Sequence, residues 1–85
     1  MEIKILGKNS SNRMKLLKNL SKTIKETDEK VSIEIVEDEK TISKLNISNT
    51  PALIINNKII SQGKVLTEKE IKNYIRILEY VNKSV

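Results

Sequence analysis

The chain opens with a period-two segment, then a helical segment, then a second period-two segment, and this succession restricts the fold more than any other feature. Glu2-Ile3-Lys4-Ile5-Leu6-Gly7 alternates polar and apolar residues and closes on glycine, as a strand does. Asn9, Ser10 and Ser11 then supply N-cap chemistry. A helix is predicted from Ser11 to Asp28, with Leu16, Leu17, Leu20 and Ile24 on one face and Lys15, Lys18, Lys22 and Lys25 on the other. That division suits a helix lying on a sheet with its charged side in water. Val31, Ile33 and Ile35 alternate with Ser32 and Glu34 and predict the second strand. A helix joining two strands makes them a parallel pair with a right-handed crossover.

The remaining elements follow from local signals. Asp38 can cap a short helix carrying Ile42 and Leu45, which Asn46 ends. Ile47 to Pro51 is a loop entering the proline. Ala52-Leu53-Ile54-Ile55 reads as a buried strand, and Asn56-Asn57 as a tight turn into Lys58-Ile59-Ile60-Ser61, because asparagine tolerates positive φ. Gly63 closes this fourth strand. Thr67-Glu68-Lys69-Glu70 is a capping box, with Leu66 and Ile71 spaced as a hydrophobic staple. The last helix is expected to present Ile71, Tyr74, Ile75, Leu78 and Val81 on one face and to end near Lys83. The class is α/β, in the order β-α-β-α-β-β-α: a four-stranded mixed sheet with helices on both faces.

With 85 residues the chain is expected to form a single domain, 1–85, around one core. Only Tyr74 and Tyr80 are aromatic, so Ile, Leu and Val must do the packing. No apolar run approaches the roughly 20 residues that span a bilayer, so no membrane insertion is expected. Met1-Glu2-Ile3-Lys4 enters the strand pattern directly, without a leader-like segment, and a cytoplasmic location is the default expectation.

Cysteine and histidine are both absent. The chain has no thiolate for disulfide exchange or for a metal–thiolate centre. The net charge is +5, carried almost wholly by lysine, with Arg13 and Arg76 the only arginines. Richness in Lys, Ile and Asn reads as compositional drift in an AT-biased genome. The lysine stripe on the first helix has no aromatic residue or arginine fork beside it, so it reads as a solvated face and nucleic acid is not expected as a partner. Glu37-Asp38-Glu39 reads as the start of the short helix, not a metal site. No metal or cofactor is expected.

Two segments, read together, carry a resemblance. One is Ile5-Leu6-Gly7-Lys8-Asn9-Ser10-Ser11-Asn12-Arg13, a strand running into a helix start. The other is Asn49-Thr50-Pro51-Ala52-Leu53-Ile54-Ile55-Asn56-Asn57-Lys58, a Thr-Pro-Ala-Leu run entering a hairpin. The chain resembles the minimal thioredoxin-like family of small archaeal and bacterial proteins, also called redox-active disulfide proteins and akin to small glutaredoxins. The resemblance covers the whole order of elements. It implies a thioredoxin-like fold, a cis bond at Thr50–Pro51, and a Thr50 main chain presented to extended peptides or glutathione. It also implies a Cys-Pro-x-Cys redox pair at the helix start, and here the chain departs. Ser10 stands at the nucleophilic cysteine, Ser11 at the proline and Arg13 at the resolving cysteine; Asn12 occupies the variable position.

A serine hydroxyl does not replace the thiolate, and no histidine is present to activate it. Lys8 and Lys15 are expected to be exposed and protonated, and so poor bases. The helix N-terminus can favour an anion, with Ser10, Ser11, Arg13 and Lys8 around it. Alternatively Ser10 or Ser11 caps the helix and Arg13 is simply solvated. The leading expectation is a redox-inactive, non-enzymatic binding module. Its site is the former active-site groove of Asn9, Ser10, Ser11, Asn12, Arg13, Thr50 and Pro51, and its ligand a peptide or a small anionic, glutathione-like molecule. One alternative is a glutathione-linked activity in which the helix-start serine polarises a substrate thiol. Another is a structural subunit with a protein partner in a redox or transport-associated complex, using the exposed tail at Tyr80 and Val81.

Overall fold

The computed structural model describes residues 1–27 and 30–83. The elements are β1 (Glu2–Leu6), α1 (Ser11–Ile24), β2 (Ser32–Val36), α2 (Glu39–Lys44), β3 (Ala52–Ile55), β4 (Lys58–Gln62) and α3 (Glu68–Lys83). They form one four-stranded sheet in the order β2-β1-β3-β4. β1 and β2 are parallel, as their helical crossover requires, while β1–β3 and β3–β4 are antiparallel.

The period-two pattern of β1 and β3 divides the core between two faces. Ile3, Ile5, Leu53 and Ile55 point to one face, where Leu16 and Leu20 of α1 and Ile71 and Ile75 of α3 cover them. Leu6, Ala52 and Ile54 point to the other, against Ile42 of α2 and Ile47. β3 is central and buried on both faces, which is why its sequence is unbroken in apolar residues. Each fully buried Leu or Ile contributes about 1.5–3 kcal/mol to such a core.

The local signals take the expected forms. Asn56 and Asn57 both have positive φ, 49° and 67°, giving the tight β3–β4 turn, and Gly63 has φ 69° after β4. Asp38 accepts from the Thr41 N–H at 3.1 Å and caps α2, and Asn46 follows that helix at φ 60°. Thr67 and Glu70 bond each other reciprocally at the start of α3. Leu66 and Ile71 are both buried beside them.

Three expectations are corrected. α1 ends at Ile24 rather than running to Asp28, which lies outside the described residues. The Glu26 and Thr27 N–H groups bond the carbonyls of Thr23 and Ile24, a tightening into three-residue turns that closes the helix. On α3, Tyr74 and Val81 do not share the buried face; they are 38% and 47% exposed. Lys72 pairs with Glu26 at 3.2 Å and Glu79 accepts from the Thr27 hydroxyl at 2.9 Å. The 72/79 side of α3 thus faces the residues that follow α1, and Tyr74 and Val81 lie on the side away from them. Finally, β2 begins at Ser32, after Val31, and its Ile33 and Ile35 are exposed because β2 forms an edge of the sheet.

Candidate functional site

Gly7 ends β1 and sets the geometry of everything beyond it. Its φ is 138°, a value that side-chain-bearing residues rarely adopt, and a Cβ there would lie 3.1 Å from Thr50 Cβ. Glycine therefore lets the end of β1 approach the loop that leads into β3. In that loop Thr50–Pro51 is a cis peptide, as the resemblance implied. Pro51 is buried, and its carbonyl accepts the Gly63 N–H at 2.9 Å. Thr50 is exposed, and among the described residues no hydrogen bond reaches its main chain.

Across from this loop, Asn9, Ser10, Ser11 and Asn12 are exposed at the start of α1. Ser10 is the N-cap: its Oγ accepts the Arg13 N–H at 3.1 Å. One of its two acceptor lone pairs is thereby used by the helix, as the capping reading expects.

Arg13 overturns the expectation that it is solvated: it is only 9% exposed. Its Nη1 donates to the Gly7 carbonyl at 3.0 Å and lies 3.3 Å from Glu37 Oε2, while Nη2 donates to Asn9 Oδ1 at 3.3 Å. One planar fork thus ties the β1–α1 loop, the first turn of α1 and the segment after β2. Lysine has no such fork, so a lysine at this position could not make the same set of contacts. The residue that the resemblance sets at the resolving-cysteine position forms a structural cross-tie.

Lys8 is also paired. Its Nζ lies 2.6 Å from Glu39 Oε1, and that hydrogen bond, with the attraction of the carboxylate, raises the Lys8 pKa. Both cations near the helix start therefore already face a carboxylate. Beneath the Lys8–Glu39 pair lies a cavity of about 280 Å³, which the sequence reading did not find. Ile42 and Ile47 form its apolar wall; Lys8, Glu37, Glu39, Ser43, Ser48 and Thr50 supply its polar lining.

The seven expected site residues thus fall into two groups. Asn9, Ser10, Arg13 and Pro51 are engaged with the protein itself, whereas Ser11, Asn12 and Thr50 present exposed groups. Glu37, Glu39, Ile42, Ser43, Ile47 and Ser48 were missed. One signal was available for the Arg13 tie: residue 13 lies on the 13–16–20 stripe that faces the core. No cluster of metal-binding side chains occurs among the described residues. None of the described helices is long and apolar enough to cross a membrane.

A family model described as a thioredoxin domain matches residues 1–76. No curated protein and no solved structure matches the chain.

Proposed function

The chain belongs to the thioredoxin domain family, and on that premise we propose that it is a redox-inactive member whose former active-site groove binds an extended peptide. The observation that carries this reading is exposed Thr50 in the lining of the Ile42–Ile47 cavity, with no hydrogen bond to its main chain among the described residues. An extended segment adds its own backbone groups to such an edge and seats one side chain in the adjoining hollow. The apolar wall favours an aliphatic side chain there. The family's dithiol chemistry has no residue to perform it, since the chain contains no cysteine.

A small anion is the less favoured ligand. Arg13 is consumed by Gly7, Asn9 and Glu37, and Lys8 by Glu39, so an incoming phosphate or carboxylate must compete with carboxylates already in place. Ser10 accepts the cap bond through one lone pair and keeps its O–H, but the chain contains no histidine to activate that hydroxyl toward a substrate thiol.

Selection from a displayed library of short extended peptides tests the reading. Recovered peptides are expected to share an aliphatic residue, and their binding is expected to fall at least tenfold in Ser43→Trp. That substitution fills the cavity from an exposed position on α2 and leaves the core intact. Binders indifferent to Ser43→Trp, or a library that yields none, would count against the groove as a peptide site.

A further inference from the structure

We infer that the free edge of β2 is a self-association surface and that its occupant is the β2 strand of a second copy of this chain, added antiparallel. This does not rest on the peptide-groove reading, because it uses a different edge of the sheet.

The backbone supplies the first argument. The Ser32 N–H bonds the Met1 carbonyl and the Gly7 N–H bonds the Val36 carbonyl, so the main-chain groups of Ser32 and Val36 point inward to β1. Strand alternation then points the N–H and C=O groups of Ile33 and Ile35 outward, where no strand among the described residues receives them. The side chains supply the second. Parallel register sets Ile33 beside Ile3 and Ile35 beside Ile5, on the face that α1 and α3 cover. Ile3 and Ile5 are at most 1% exposed, yet Ile33 is 39% and Ile35 41% exposed. The apolar face of the sheet therefore continues past its last strand.

Natural sheet edges are blunted by charged side chains, lysine above all, and by proline, bulges or short length. Ser32-Ile33-Glu34-Ile35-Val36 is five residues long with one charge, and it has no lysine, proline or bulge and pairs with β1 in unbroken register. Its one charge, Glu34, lies on the opposite face from Ile33 and Ile35.

The strand is also self-complementary, which selects a second copy over an unrelated segment. With the two-fold axis at Ile33, Ile33 faces Ile33 of the second copy, and Val31 faces Ile35. All of these present outward backbone groups and apolar side chains on one face. On the other face Ser32 meets Glu34, a hydroxyl opposite a carboxylate, so the two Glu34 charges are not set against each other. The product is a continuous eight-stranded sheet with a closed, isologous interface.

Sedimentation equilibrium from micromolar to millimolar protein tests this, paired with amide hydrogen exchange. The mass is expected to rise from 9.7 kDa toward twice that value, with exchange at Ile33 and Ile35 slowing as concentration rises. Ile33→Lys is expected to return the mass to the monomer with an unchanged circular dichroism spectrum. A constant monomer mass would overturn the inference. So would a dimer that survives Ile33→Lys, or one abolished instead by Ile77→Lys, which would place the contact on exposed α3. Exchange at Ile33 and Ile35 in the wild-type protein decides the matter even if Ile33→Lys fails to fold, since concentration-independent exchange there contradicts the pairing.

Discussion

With Arg13 replaced by methionine, the buried Gly7 carbonyl loses its donor and Glu37 its cation, while the volume of the site is roughly kept. The expected loss is about 1–3 kcal/mol in urea denaturation, the cost of leaving a buried acceptor unsatisfied. Little of it comes from the ion pair, since the Glu37 side chain is 58% exposed and solvent screens it. Glu37→Gln alone is therefore expected to cost under about 1 kcal/mol. Arg13→Lys is expected to behave like Arg13→Met, because one ammonium cannot serve three separated acceptors. A lysine variant as stable as the wild type would contradict the cross-tie. Much of this site could be read one residue at a time. Ser10 as a cap depends only on the residues beside it. The partnership of Arg13 with Glu37 depends on the parallel register of Leu6 with Val36, a contact that no local pattern encodes.

The same division holds for the elements. The Asn56-Asn57 turn, the Asp38 cap and the Thr67–Glu70 box each act over four residues or fewer, and each occurs where the sequence implies. Thr67→Ala removes both sides of the box's hydroxyl bonding and is expected to cost about 1 kcal/mol, read from the urea midpoint. Asp38 makes α2 sensitive to acid. Hydrogen bonds from Thr41, side chain first and then main chain, hold its pKa below the ordinary aspartate range. A carboxyl lowered in the folded state adds stability above its unfolded pKa and loses it as pH falls through the folded value. Melting temperatures of wild type and Asp38→Asn are therefore expected to differ at neutral pH and to converge in acid. A gap that persists below the carboxylate range would contradict the cap. What the elements conceal is orientation. Tyr74 and Val81 fit the helical spacing of the α3 core stripe, yet with Ile71 and Ile75 buried in the core and Lys72 and Glu79 facing Glu26 and Thr27, they lie outward.

At the level of the whole molecule, the crossover and the tight turn specify two strand pairs, and the family resemblance specifies how the pairs join, with β1 beside β3. The cavity was hidden for a structural reason. Its walls come from the end of β1, from α2 and from residues 47–50, segments that meet only after the second core of Leu6, Ile42, Ile47 and Ile54 has packed. The chain thus combines a thioredoxin fold with a cap and a cross-tie at the start of α1 and an exposed Thr50 in the loop before β3. Backbone amide NMR of labelled protein, titrated with an extended aliphatic peptide and separately with phosphate and glutathione, tests this account most directly. The peptide is expected to shift the amides of Asn9–Arg13, Ile42–Ser43 and Asn49–Ala52, with phosphate and glutathione leaving them in place. Shifts with phosphate or glutathione but not with peptide, or peptide shifts confined to other surfaces, would contradict it.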